Sequence, residues 1–226
     1  MSDLILAIET SNPGSPEHPN GGIALGTADA SLLGLETLGT SADDVLMPSI
    51  DRLLRAHGAC PGDLVRVGVS AGPGGFTGVR VAVAITKMIC EATGAKCVGV
   101  SSARVAAHSS KASGGRLGVA LASKRESCHL TVFDAEVAGE ARIITRDDLA
   151  ALKLDRLIGD AHLPDSIREG ASELGIEIEA LRLDPAACLA MAVLGPCVDP
   201  ADLAAIYPRE PEAVRRWRDR QHGKPG

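Results

Sequence analysis

The sequence predicts an α/β fold: a mixed sheet flanked by helices, followed by a second, smaller α/β unit. Three observations carry that expectation. The chain opens on three short apolar segments separated by turns. It then alternates apolar strands with longer helical stretches. Between one strand and one long apolar helix lies a turn rich in glycine, Gly72-Pro-Gly-Gly-Phe-Thr-Gly78. With 226 residues there is chain enough for one large domain or two small ones.

Residues 4–8 are an apolar run ending in Glu9-Thr10-Ser11 and read as a buried first strand. Residues 12–22 hold three prolines and three glycines and must be a loop. Strands at 22–26 and 31–38 complete an antiparallel meander with a long first loop. Ser41-Ala-Asp-Asp44 resembles a capping box for a helix. Leu46, Ile50, Leu53, Leu54 and His57 share one face of that helix, and Gly58 stops it. Pro48 inside a helix costs about 3 kcal/mol, so a kink or a start near Met47 is predicted.

Leu64–Ser70 reads as a strand, and 79–93 as a helix closed by Gly94. In the latter, alternating Val79, Val81, Val83 and Ile85 favour a strand, but the segment is far longer than the roughly five residues of a usual strand. A strand at 95–100 and a short helix capped by Ser101 or Ser102 follow. A Ser/Gly/Lys linker at 109–115 then separates strands at 117–122 and 128–134. Helices at 147–154, 164–175 and 186–194 and a short strand at 157–159 end the pattern, with 176–183 left mixed.

Composition narrows the function. Hydrophobic residues are 45% and charged residues 23%, ordinary for a globular protein. No apolar run reaches the roughly 18 residues of a membrane span, and no secretory leader is visible. The six cysteines form no Cys-x-x-Cys pair, so a reducing, cytoplasmic setting without disulfides is expected. Net charge is −6, divided into +3 for the tail from Arg209 and −9 for the rest. An acidic body neutralises few phosphates, and Phe76, Phe133, Tyr207 and Trp217 are too few aromatics for a base-stacking platform.

The glycine-rich turn matches neither standard phosphate loop. No Lys follows Gly78, and Thr77 stands where a third dinucleotide-motif glycine belongs. Two readings stay open: an anion site at a helix N-terminus, through Gly72, Gly74, Gly75, Thr77 and Gly78, or a tight joint whose glycines allow close packing. Glu9 ends the first strand, where a carboxylate could orient Mg²⁺ or a nucleotide. The six histidines offer no i, i+4 pair for a metal, and Ser11, Ser70 and Ser101 lack a Gly-x-Ser-x-Gly setting. Neither a catalytic residue nor a metal ligand is assigned.

Several strings match a known family in the same order. They are Ile5-Leu-Ala-Ile-Glu-Thr-Ser11, Leu46-Met-Pro-Ser-Ile-Asp-Arg-Leu-Leu54, Gly72-Pro-Gly-Gly-Phe-Thr-Gly-Val-Arg80, Val98-Gly-Val-Ser-Ser102 and Tyr207-Pro-Arg-Glu-Pro-Glu-Ala213. The chain resembles the TsaB (YeaZ) family, strongly over 4–103 and in patches afterwards. That resemblance implies an actin/Hsp70/sugar-kinase-like (RNase H-like) fold of two lobes. The first, 1–103, would carry the dimerisation helices; the second, 104–226, would be smaller and end in the basic tail.

The resemblance also implies a role in making N6-threonylcarbamoyladenosine in the tRNA anticodon loop. Members do not catalyse the transfer; they bind the homologous catalytic subunit TsaD, and the assembly works with the ATPase TsaE. The donor, threonylcarbamoyl-AMP, comes from another enzyme. ATP and Mg²⁺ serve the complex, with none held by this chain alone. Carried over, the interface for TsaD and for the homodimer comprises Leu46, Ile50, Leu53 and Leu54 on one helix and Val81, Ile85, Met88 and Ile89 on the next. Ile50→Asp or Ile85→Asp should then abolish pairing and leave the fold intact. tRNA would be contacted by the complex rather than by this chain directly, and no membrane is involved.

TsaD itself carries a His-x-x-x-His metal site after its first strands, and residues 40–50 contain no His. This places the chain beside the non-catalytic partner. Three departures stand out: Thr40-Ser41 in place of His-Ser, Ala122-Ser-Lys-Arg125 in place of Asp-Ala-Arg-Arg, and the long 12–21 loop. The rival readings are a nucleotide-using enzyme of the actin-like fold, with Glu9 and the turn at its phosphates, and a metallopeptidase.

Overall fold

The computed structural model describes residues 3–12, 20–38, 42–110, 114–135 and 137–207, with 217, 218 and 221. β1 (Leu4–Glu9), β2 (Gly22–Thr27) and β3 (Leu32–Thr37) form the expected antiparallel meander. α1 (Ala42–Ala56) leads through a 3-10 turn at Pro61–Asp63 to β4 (Leu64–Ser70), which lies parallel to β1. Then come α2 (Phe76–Thr93), β5 (Lys96–Val100), parallel to β4, and α3 (Ser102–Ser109), capped by the Ser101 hydroxyl, which accepts from the Arg104 N–H. Sheet order is β3-β2-β1-β4-β5.

The second half repeats this plan. β6 (Arg116–Ala122) and β7 (Cys128–Asp134) pair antiparallel, and the short strands β8 (Val137–Ala138) and β9 (Arg142–Ile144) both pair with β7. After α4 (Leu149–Leu152), β10 (Arg156–Gly159) returns parallel to β6. α5 (Asp165–Glu173), β11 (Glu177–Ala180), parallel to β10, and α6 (Pro185–Leu194) close the unit. In each half the first strand is central, with parallel strands on one side and antiparallel strands on the other. This is a duplicated α/β architecture, two mixed sheets of the same plan flanked by helices.

Five layers result. Leu6 and Ile8 of β1 join Leu46, Ile50, Val79 and Ile85 in a core beneath α1 and α2. Ile5 and Ala7, on the other face of the same strand, meet Val105, Leu189 and Ala192 of α3 and α6, which also pack on Val119 and Ile158 of the second sheet. A third core sets Leu130 and Leu157 against Leu149, Leu152 and Ile167. β1 is therefore buried on both faces, which is why it shows no polar alternation.

The 103/104 boundary falls inside α3, and α6 is seated on the first sheet. A side chain at Gly68 would run into Ala192, and one at Gly26 into Leu189. Arg66 of β4 donates to the carbonyls of Ala192 (2.9 Å) and Val193 (2.5 Å), closing the C-terminal end of α6. Three further expectations change. α1 starts at Ala42 and runs through Pro48, so of the two alternatives, a kink or a start near Met47, the start is excluded. Pro48 is exposed, so the one helical bond it forgoes leaves a carbonyl that water can reach, while buried Leu46 and Ile50 hold the helix on either side. The helix at 147–154 is only a 3-10 turn and α4, ended by Lys153 in the left-handed region. The mixed stretch 176–183 contains β11. The Ser41 cap, the linker residues 111–113 and the segment 208–213 lie outside the described residues.

Candidate functional site: the joint at the glycine-rich turn

The end of β1 and the turn between β4 and α2 meet at the same edge of the first sheet. Glu9 is fully buried. Its Oε1 accepts from the Ser11 N–H (2.8 Å) and the Ser11 hydroxyl (2.6 Å), while Oε2 has no hydrogen-bond partner among the described residues. Burial pushes the Glu9 carboxyl above its ordinary range, and the Ser11 hydrogen bonds pull against that shift. The Ser70 and Ser102 hydroxyls lie 2.9 Å apart, and the buried Cys188 thiol donates to the Ile8 carbonyl. Burial and the nearby Glu9 charge hold that thiol well above its usual pKa.

The glycines face the β1–β2 turn. The Gly75 N–H donates to the Ser11 carbonyl (2.6 Å), and the Thr10 hydroxyl donates to the Gly78 carbonyl (3.0 Å). Any Cβ at Gly74 would overlap the Ser11 carbonyl, and one at Gly78 would press on that of Thr10. Gly72 has φ +102°, and its carbonyl accepts from the Ser102 N–H (2.8 Å), tying the turn to α3. The Gly72–Pro73 peptide is cis. The Ile206 N–H reaches back to the Ala71 carbonyl (2.6 Å). Of the five turn residues considered for an anion, Gly74, Gly75 and Thr77 are exposed, Gly78 is partly covered and Gly72 is buried.

Local sequence could not reveal two of these features. Tyr207 packs against Phe76, with ring centroids 6.0 Å apart, and the Arg80 guanidinium lies 4.5 Å from the Phe76 ring centre. The closure of Gly74 on Ser11 likewise joins residues some sixty positions apart. Only the mutual rarity of Phe76 and Tyr207 in an aromatic-poor chain hinted at the first.

A family model described as TsaD, tRNA N6-adenosine threonylcarbamoyltransferase, matches residues 41–183, more than half of the chain. The chain belongs to the TsaD/YeaZ family. Among solved structures, an uncharacterised Pseudomonas aeruginosa protein described as similar to peptidase YeaZ superposes with TM-score 0.69 at 19% identity, over 92% of this chain and 100% of that one. YeaZ from Pseudomonas aeruginosa superposes with TM-score 0.67 at 19% identity, over the same shares. A ROK family glucokinase from Streptomyces griseus is more distant, with TM-score 0.48 and 10% identity over 85% of this chain and 99% of that one. No curated protein sequence matches.

Within this TsaD/YeaZ-family chain, most of the residues carried over as an interface point inward. Leu46, Ile50, Leu53 and Leu54 are at most 6% exposed, and Ile85 and Ile89 at most 9%. Val81 is partly buried against the same core, and Met88, at 63%, is the exposed member of the set. Each buried aliphatic contributes about 1.5–3 kcal/mol to folding, so Ile50→Asp or Ile85→Asp would unfold the first lobe instead of testing its pairing. Apolar residues that the two helices do expose include Val45, Met47, Phe76, Ala84 and Met88. No described helix is long and apolar enough to cross a membrane, and no described group of His, Cys, Asp and Glu has the arrangement of a metal site.

Proposed function

We propose that this chain is a non-catalytic subunit that binds TsaD and supports it in N6-threonylcarbamoyladenosine modification of the tRNA anticodon loop in the cytoplasm. It pairs with itself when alone; TsaE, ATP and Mg²⁺ act at the level of the assembly. The observation that carries this reading is the closed joint. Where a nucleotide-using enzyme of this fold would seat phosphates against Glu9 and the glycine-rich turn, Gly74 rests on the Ser11 backbone and Glu9 is sealed beneath it. A carboxylate with no solvent access and a raised pKa is poorly suited to hold Mg²⁺. What remains for a partner is the outer helical layer, where α1 and α2 expose Val45, Met47 and Met88.

The test is co-purification with TsaD and size-exclusion chromatography, followed by tRNA modification reconstituted with and without this chain. Met88→Glu combined with Val45→Glu should abolish complex formation and the stimulation of modification while circular dichroism stays unchanged, because both side chains are solvent-facing. A chain that remains monomeric and ignores TsaD would defeat the proposal. Calorimetric binding of ATP–Mg²⁺ by the isolated chain would instead favour the nucleotide-using enzyme.

A further inference from the structure

A cavity of about 750 Å³ opens at the end of the molecule where β6 and β10 begin, away from the closed joint. That volume is within the range of small-ligand sites. One wall is Leu117 and Phe133 of the second sheet; the facing wall is Met191 and Leu194 of α6. Leu194 is 81% exposed, a large aliphatic left open at the mouth.

Three cationic or titratable side chains converge on the same space: Arg104 and His108, one turn apart on α3, and Arg156 at the start of β10. Arg156 is held in place, donating to Glu179 Oε1 (2.9 Å) and to the Gly114 carbonyl (3.0 Å). The Ser110 hydroxyl takes the other oxygen of Glu179 (3.1 Å). Two acids beside the first residue of β6 are engaged too. Asp155 accepts from the Arg116 N–H (2.5 Å), and Asp134 pairs with the Arg116 guanidinium (3.2 Å). Arg104 has no acidic partner among the described residues. The cavity therefore combines an apolar body with an uncompensated positive charge, contributed by two elements of the inter-sheet layer and the second sheet.

We propose that this cavity is a binding site for a small organic anion with an apolar ring: the ring lies between the Leu117–Phe133 and Met191–Leu194 walls, and the anionic group meets Arg104 with His108 beside it. The site is independent of the pairing surface and of the functional proposal above. Its probe is 1-naphthyl phosphate, titrated calorimetrically into the full chain. Saturable one-to-one binding is expected, with 1-naphthol and inorganic phosphate each at least tenfold weaker, since each supplies only half of the recognition. Arg104→Gln and Leu194→Glu should each weaken binding at least tenfold; both positions are exposed, so circular dichroism should be unchanged. Arg104→Lys should recover part of the affinity. No saturable binding, inorganic phosphate binding as tightly as the aryl phosphate, or affinity untouched in both variants would overturn the assignment.

Discussion

The two halves of this chain share one plan and differ at the point where the plan would carry chemistry. Each has a central strand ending in a turn, met by the turn that follows a parallel neighbour. In the first half a carboxylate on the central strand itself, Glu9, binds the Ser11 N–H and hydroxyl. In the second half that strand ends in Ala122, and the acid comes from beyond the neighbouring strand: Asp160 accepts from the Ala122 N–H (2.6 Å) and from the His162 N–H (2.8 Å). Both acids are buried at a strand end. The difference teaches that the carboxylate here organises a turn, and that the fold accepts it from either strand. The departure at Ala122 is thus met inside the second lobe, by a residue 38 positions away.

The largest effect should come from the turns themselves. In the first half the β4–α2 turn is pressed against the β1–β2 turn, and Gly74 has backbone where a Cβ would be. Gly74→Val should cost about 3 kcal/mol, since backbone cannot give way as a flexible side chain does. Ala161, in the corresponding turn after β10, is exposed. Ala161→Val should change stability by less than about 0.5 kcal/mol. Urea unfolding of the two variants measures the contrast; equal costs would mean the first joint is no tighter than the second.

Next is the acid of the second half. Asp160→Ala removes the acceptor for two backbone N–H groups, one of them on a strand end, and should cost about 2 kcal/mol. If Asp160 only organises its turn, the loss will be seen in the unfolding midpoint and in faster amide exchange at Ala122 and His162. It will leave complex formation with TsaD unchanged in the protein that remains folded.

Much of this architecture was legible because its signals are local. Leu64–Ser70 and Cys128–Asp134 are rich in aliphatic and β-branched residues and are flanked by turn residues, so their ends could be read directly. β8 and β9, of two and three residues, have no pattern of their own and exist only because β7 offers them an edge. The glycines could be read as a cradle or as a joint because Thr10 and Ser11, which decide the matter, lie far away in sequence. A similar ambiguity misdirected the interface. Apolar residues at helical spacing mark a face that is covered, and Leu46, Ile50, Leu53 and Leu54 are covered by their own sheet. Nothing in the spacing distinguishes that cover from a partner's.

The smallest and most discriminating effect belongs to Glu9. Its folded pKa is raised chiefly by burial, so between the ordinary carboxylate range and that raised value the folded chain binds more protons than the unfolded one. Stability on this account is fully present at low pH and is lost as pH rises through the folded pKa. Glu9→Gln keeps an oxygen for Ser11 and cannot ionise. It should remove that falling limb, leaving the variant about 1 kcal/mol more stable than the parent at pH 8 and no more stable at pH 4. Urea midpoints across that range test it against Asp160→Asn, which keeps one acceptor oxygen but offers an amide to the second backbone N–H and should be destabilising at pH 8. If Glu9→Gln is instead less stable than the parent at pH 8, the ionised carboxylate is doing more than holding Ser11, and the first joint has an electrostatic role that the second lacks.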